Sequence, residues 1–356
     1  IERVVNTANP TIVIILDEMN GLGGLNDKII NTKTTKKKIN NFIKKFNFTH
    51  YPNAYTIYSR SSDSIPSYLN FHYEYNIEKL EKFRKPHNNS FAFYEKVLSN
   101  KLFDLYNPKK VYVKQTFGLD FCAYENFQEC KTTNPFSRKN KYINNFKLNN
   151  YDKIFSKFSY QTSIFATLLT RTLRQFDLIK IIEPRIIGKT TIEQNLDNLF
   201  IQAKSKKFSL IFAHLLAPHK PFVWDLNGCG YKYYENQNFI SDKKLQEYHN
   251  VEIQCLIYFL DKFFTKLNEN KIINHYDIVI ASDHGARNLN FDTNKKDWHS
   301  VIYLERKKNN NFKEHLDAKS SQLLFYNFFN ENKINDIDSK IYDHKNSKYI
   351  FKSNIF

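Results

Sequence analysis

Tyr276-Asp-Ile-Val-Ile-Ala-Ser-Asp283-His284-Gly285 is an apolar run that ends on Asp-His-Gly, and Thr11-Ile-Val-Ile-Ile-Leu-Asp17 is its counterpart near the start of the chain. Both read as buried strands. Their β-branched residues continue without polar alternation, as a parallel strand covered on both faces requires. Each run delivers metal-ligand side chains to its C-terminal end, the edge at which open α/β sheets place their sites. Two carboxylates and an imidazole meeting there suit one divalent cation: Zn²⁺, Mn²⁺ or Mg²⁺.

Working outward, helices and strands alternate. A loop bearing Gly21, Gly23 and Gly24 follows the first run. Ile39, Phe42, Ile43 and Phe46 recur at the spacing of one helix face and predict a helix over 36–46. A strand is expected at 54–58, and 59–69 reads as a turn opening a helix. The stretch 72–150 is weakly patterned, with one strand at 110–114. Helices are expected at 155–176, 192–203 and 245–267, and strands at 209–214, 276–282, 300–304 and 322–325. This alternation predicts a doubly wound α/β fold, with a mostly parallel central sheet and helices on both faces. With no repeat and no clear linker, residues 1–356 are expected to form a single catalytic domain carrying insertions at 72–205.

Composition narrows the function. No run approaches the roughly 18 apolar residues of a membrane span, and no secretory signal peptide is legible. The formal net charge is +17. The Lys residues are scattered through Asn-rich stretches with no nucleic-acid motif, so no nucleic-acid partner is expected. Such a surface suits an anionic membrane. Cys122, Cys130, Cys229 and Cys255 show no CxxC spacing, which excludes a zinc knuckle. A local Cys122–Cys130 disulfide and free thiols are both open readings.

Four segments in order carry a resemblance: Asp17 after its β-run, Ser61-Ser-Asp-Ser-Ile-Pro66, His214-Leu-Leu-Ala-Pro-His219-Lys-Pro221, and Asp283-His284-Gly285. The chain from about 11 to about 304 resembles the alkaline phosphatase/sulfatase superfamily. It is most similar to the branch of metal-dependent phosphoethanolamine and phosphoglycerol transferases. In that branch a Thr or Ser at a helix start attacks a phosphodiester, five residues before a Pro. Counting back from Pro66 gives Ser61. The physics agrees, because a helix start offers N–H groups and a positive dipole end to a phospho-adduct. Ser59, Ser62 and Ser64 remain alternatives, and Ser61 as a plain helix cap is the bland one.

The resemblance implies that Asp17, Ser61, Asp283 and His284 hold one metal ion. It implies that His219 holds the substrate phosphate and that His299 serves the phosphate or protonates the leaving group. Arg60 and Arg287 are candidate phosphate partners, since guanidinium matches phosphate geometry. His214 reads as a hydrogen-bonded core residue. Glu18 is set aside as a ligand, because neighbours on a strand point to opposite faces. No second ligand set is found, so one metal is expected. A formylglycine sulfatase needs x-Pro-x-Arg after its nucleophile, and Ser-Asp-Ser-Ile after Ser61 argues against that chemistry. The implied function is transfer of phosphoethanolamine or phosphoglycerol from a phospholipid headgroup donor to a surface glycan or lipid acceptor. The implied place is the periplasmic or extracellular face of a membrane, with an anchor outside this stretch. The competing readings are a hydrolase using the same site, and a catalytically silent glycan- or lipid-binding module. The oligomeric state is not legible.

Overall fold

Strand β1, Thr11–Asp17, lies inside an eight-stranded sheet in the computed structural model, and all seven of its residues are buried. The structure describes residues 9–86, 93–116, 118–124, 128–133, 169, 172–173, 189–232, 240–286, 299–308, 311–330, 334, 341–343 and 348–350. The other strands of this sheet are β2 (Thr49–His50), β3 (Val111–Gln115), β4 (Glu129–Thr132), β5 (Leu210–Pro218), β6 (Asp277–Ser282), β7 (Tyr303–Arg306) and β8 (Lys313–Glu314). Their order is β8-β2-β7-β6-β1-β5-β3-β4. The run β6-β1-β5-β3-β4 is parallel throughout, and β7 is antiparallel to both β6 and β2.

Alternate β1 side chains enter different cores. Ile12, Ile14 and Leu16 pack with α1 (Thr32–Lys45), α3 (Ile192–Ser205) and α4 (Asp242–Glu269). Val13 and Ile15 pack with α2 (Ser61–Leu69) and α5 (Ser321–Phe329). The sheet is therefore sandwiched between two helical layers, as expected, because a strand apolar on both faces needs two covers. Burying each large apolar side chain of these layers is worth about 1.5–3 kcal/mol. Among the described residues, no helix is long and apolar enough to cross a membrane.

Three expectations need correction or fall elsewhere. The segment 54–58 is not a strand. Only Tyr55 bridges, to Ser300 and Ser320, and the strand proper is β2, five residues earlier. The segment 322–325 is helical, forming the start of α5. Its three-residue apolar run, Leu323–Phe325, is too short to show a period, whereas Leu324, Phe325 and Phe328 together mark one helix face. The helix expected at 155–176 falls almost wholly outside the described residues.

All four cysteines are paired. The Cys122–Cys130 disulfide is present, and an unforeseen second one joins Cys229 to Cys255 on α4, Cα atoms 5.3 Å apart. The second bridge ties the segment after β5 to the longest helix among the described residues.

Candidate active site and metal centre

Parallel pairing of β1 with β6 puts Leu16 opposite Ser282, so Asp17 and Asp283 leave the sheet side by side. One ligand atom from each of Asp17, Asp283 and His284 lies within 4.8 Å of the others. His284 Nε2 is 3.5 Å from Asp283 Oδ2 and 3.9 Å from Asp17 Oδ1. Backbone bonds aim these groups. The N–H groups of Glu18 and His284 donate to Asp283 Oδ1 at 3.1 and 2.7 Å, leaving Oδ2 to face the imidazole. His284 Nδ1 sits 2.9 Å from the Gly285 carbonyl, which makes Nδ1 the donor and presents the Nε2 lone pair to the carboxylates.

The electrostatics call for a cation. Burial pushes the Asp17 carboxyl above its ordinary range. His219 draws it back, Asp283 raises it further, and His284 and His214 lower it. Asp17 Oδ1 is buried and accepts no hydrogen bond. Two close buried carboxylates, one with an unsatisfied oxygen, resist joint ionisation unless a positive charge sits between them. Two carboxylate oxygens and a neutral imidazole nitrogen fit a divalent ion.

Ser61 opens α2 directly beside this trio, its Oγ 3.3 Å from His284 Nε2. Several contacts hold the helix start there. Asp63 pairs with Arg84 at 2.7 Å, and Arg84 also forks onto Glu95. Ser64 Oγ donates to the Asp283 carbonyl at 2.5 Å, and the Tyr68 hydroxyl donates to the Ser282 carbonyl at 2.9 Å. Ser64 is thus committed to a structural bond, and Ser61 is the serine hydroxyl brought to the ligand trio.

The histidines sit on the next segments. The His219 backbone N–H donates to the Asp17 carbonyl at 3.0 Å, so the loop after β5 starts beside the first ligand. Its ring Nδ1 faces the Lys220 carbonyl, and Nε2 is 3.6 Å from Glu18 Oε1. His299 is buried, with Nδ1 2.8 Å from the Thr56 carbonyl. His214, taken as a hydrogen-bonded core residue, is buried in β5, but its Nε2 has no hydrogen-bond partner. Burial pushes its pKa down to about 4, with Asp17 opposing and His284 and His219 adding to the fall. Arg60 is exposed, immediately before Ser61. Arg287 lies outside the described residues.

Glu18 is not part of the Asp17–Asp283–His284 trio. Its surroundings were not legible, however. A backbone φ of +64° breaks the strand alternation and turns the side chain toward His219. Also missed was the pair Lys189–Glu252, wholly buried and 2.9 Å apart. Glu252 Oε1 accepts the backbone N–H groups of Val223 and Trp224, so it holds the far end of the His219 loop to α4. The available signal was an acid on an apolar helix, in Val251-Glu-Ile-Gln-Cys-Leu-Ile257.

No family sequence model matches the chain, and no curated protein sequence matches it. Solved structures do match its fold. The phosphonate monoester hydrolase SpPMH from Silicibacter pomeroyi superposes with a TM-score of 0.55 at 10% identity, over 89% of this chain and 72% of that one. BT33336S-sulf, from a glycosaminoglycan-metabolism locus of Bacteroides thetaiotaomicron, gives 0.52 at 10% identity, over 90% and 77%. The lipoteichoic acid synthase LtaP from Listeria monocytogenes gives 0.50 at 11% identity, over 90% and 71%. With its parallel central sheet between two helical layers, and with these structural neighbours, the chain has the fold of the alkaline phosphatase superfamily.

Proposed function

We propose that this protein is a metal-dependent phosphotransferase that moves a phosphoethanolamine or phosphoglycerol headgroup from a phospholipid to a surface glycan or lipid. One observation carries the reading: the Ser61 hydroxyl, at a helix N-terminus, lies 3.3 Å from the Nε2 of a buried Asp-Asp-His trio. A divalent ion bound by Asp17, Asp283, His284 and Ser61 would acidify the hydroxyl and stabilise phosphoryl charge. Ser61 Oγ forms the new bond to phosphorus as the bond to the diacylglycerol oxygen breaks. The Ser61 proton passes to water, and His299 delivers a proton to the departing oxygen. The acceptor hydroxyl then bonds to phosphorus and returns its proton to His299, while Ser61 leaves and regains a proton from water. His219 and Arg60 bind the phosphate, and the start of α2 supplies N–H groups to it.

Other features support the setting. Two disulfides belong to an oxidising compartment, in keeping with a periplasmic or extracellular location. A charge of +17 favours an anionic membrane surface, where the donor resides. LtaP, a lipoteichoic acid synthase, shares the fold. SpPMH shares it too, and its hydrolase name defines the second reading, with water as acceptor.

To test this, the metal-loaded protein is incubated with labelled phosphatidylethanolamine or phosphatidylglycerol and digested for mass spectrometry. A phospho-adduct on Ser61, absent from Ser61→Ala, is expected. No adduct anywhere in 59–64 would overturn the scheme. Phosphodiester turnover indifferent to added glycan acceptors would favour the hydrolase.

A further inference from the structure

Gln322 is a polar residue in the first turn of α5, and it is buried. The backbone N–H of Ile57 donates to its Oε1 at 3.2 Å, which fixes the orientation of the amide. Its Nε2 therefore faces two hydroxyls, Thr56 Oγ1 at 2.9 Å and Ser64 Oγ at 3.0 Å. An amide nitrogen has two hydrogens and no lone pair to offer, so both hydroxyls act as acceptors toward it. Their own hydrogens must turn elsewhere. That of Ser64 goes to the Asp283 carbonyl at 2.5 Å, and that of Thr56 goes to the Tyr58 carbonyl at 3.0 Å.

Both targets belong to the site. The Ser64 bond holds the turn carrying Asp283 and His284 against α2, three residues from Ser61. Thr56 clasps His299 from both sides. Its N–H donates to the His299 carbonyl, and its carbonyl receives His299 Nδ1–H, each at 2.8 Å. We propose that Gln322 is a positioning residue: its amide sets the polarity of the Thr56–Ser64 pair, and so fixes the nucleophile helix and the His299 ring in one arrangement. As to activity, this rests on the phosphotransferase reading. As to the ring, it does not.

Two near-isosteric variants separate the cases. Gln322→Glu keeps the shape, but its buried carboxyl stays neutral and donates through a single O–H, so one of the two hydroxyls loses its donor. Gln322→Met removes the bonds. Selective ¹⁵N-histidine NMR on the whole protein reads the His299 tautomer directly. Wild type is expected to show a fixed Nδ1–H, and both variants a tautomer mixture. In phosphodiester assays both should lose about 10- to 100-fold in kcat with little change in KM. The loss should be smaller for a p-nitrophenyl leaving group, which needs no proton. Ser64→Ala combined with Gln322→Met should cost no more than the worse single change. An Nδ1–H signal unchanged in both variants overturns the proposal whatever the activity, and so do additive losses. If wild type forms no adduct while the tautomer responds as stated, the phosphotransferase reading fails and the positioning role stands.

Discussion

The two sides of the site are built differently. The metal side hangs on the sheet: Asp17 ends β1, and Asp283 and His284 follow β6, the strand paired to it. Nothing longer than a turn separates these residues from two fully buried strands. The histidine side hangs on side chains. His219 leaves β5 on a segment held at its far end by Glu252 and crosslinked to α4 by Cys229–Cys255. His299 is held by Thr56, which is set in turn by Gln322. The candidate metal ligands ride on the sheet, while the two histidines that the proposed function assigns to the substrate ride on segments whose positions a few polar bonds decide.

This contrast can be broken. The largest effect is expected from His299→Gln, which should lower turnover of lipid substrates by about 10²–10⁴-fold while leaving metal content intact. Steady-state kinetics beside elemental analysis checks it. A joint loss of metal and activity would put His299 on the metal side.

Next is the clamp on the His219 loop. Glu252→Gln leaves Lys189 buried without its counter-charge, and should destabilise the fold by about 3–5 kcal/mol in denaturant titrations. Lys189→Met combined with Glu252→Gln should recover much of that, because the charge is gone with its partner. No recovery in the double variant would mean that the backbone bonds to Val223 and Trp224, not the charge pair, carry the cost.

The smallest effect sharpens the metal side. Burial raises the Asp17 pKa above 3.8, so in the metal-free protein the native state keeps a proton that the unfolded chain has released. Stability of the metal-free protein therefore falls as pH rises from about 4 through the raised value, and stays lower above it. Asp17→Asn removes that penalty. The metal-free variant should be more stable than metal-free wild type near neutral pH. Saturating metal should reverse the order, since only wild type gains binding energy. Thermal melts with and without chelator decide it.

The same contrast explains what the sequence disclosed. β1 and β6 were legible because strands buried on both faces show as unbroken apolar runs, and the ligands sit at their ends. The helices α1, α3 and α4 were legible from their periods. What escaped depends on distant partners. Nothing local shows that Glu252 meets Lys189, 63 positions away, or that Gln322 meets Ser64, 258 positions away. The turn of Glu18 toward His219 follows from one positive φ, which no pattern announces. Ser61 lay between these cases: its helix start was readable, but its proximity to His284 needed the fold.

The most direct test of the central claim is a metal titration of the purified protein after chelation, followed by calorimetry and elemental analysis. One equivalent of Zn²⁺, Mn²⁺ or Mg²⁺ should bind to wild type, and binding should be lost in Asp283→Asn. Failure of wild type to take up any divalent ion, or uptake undiminished by Asp283→Asn, would contradict the account.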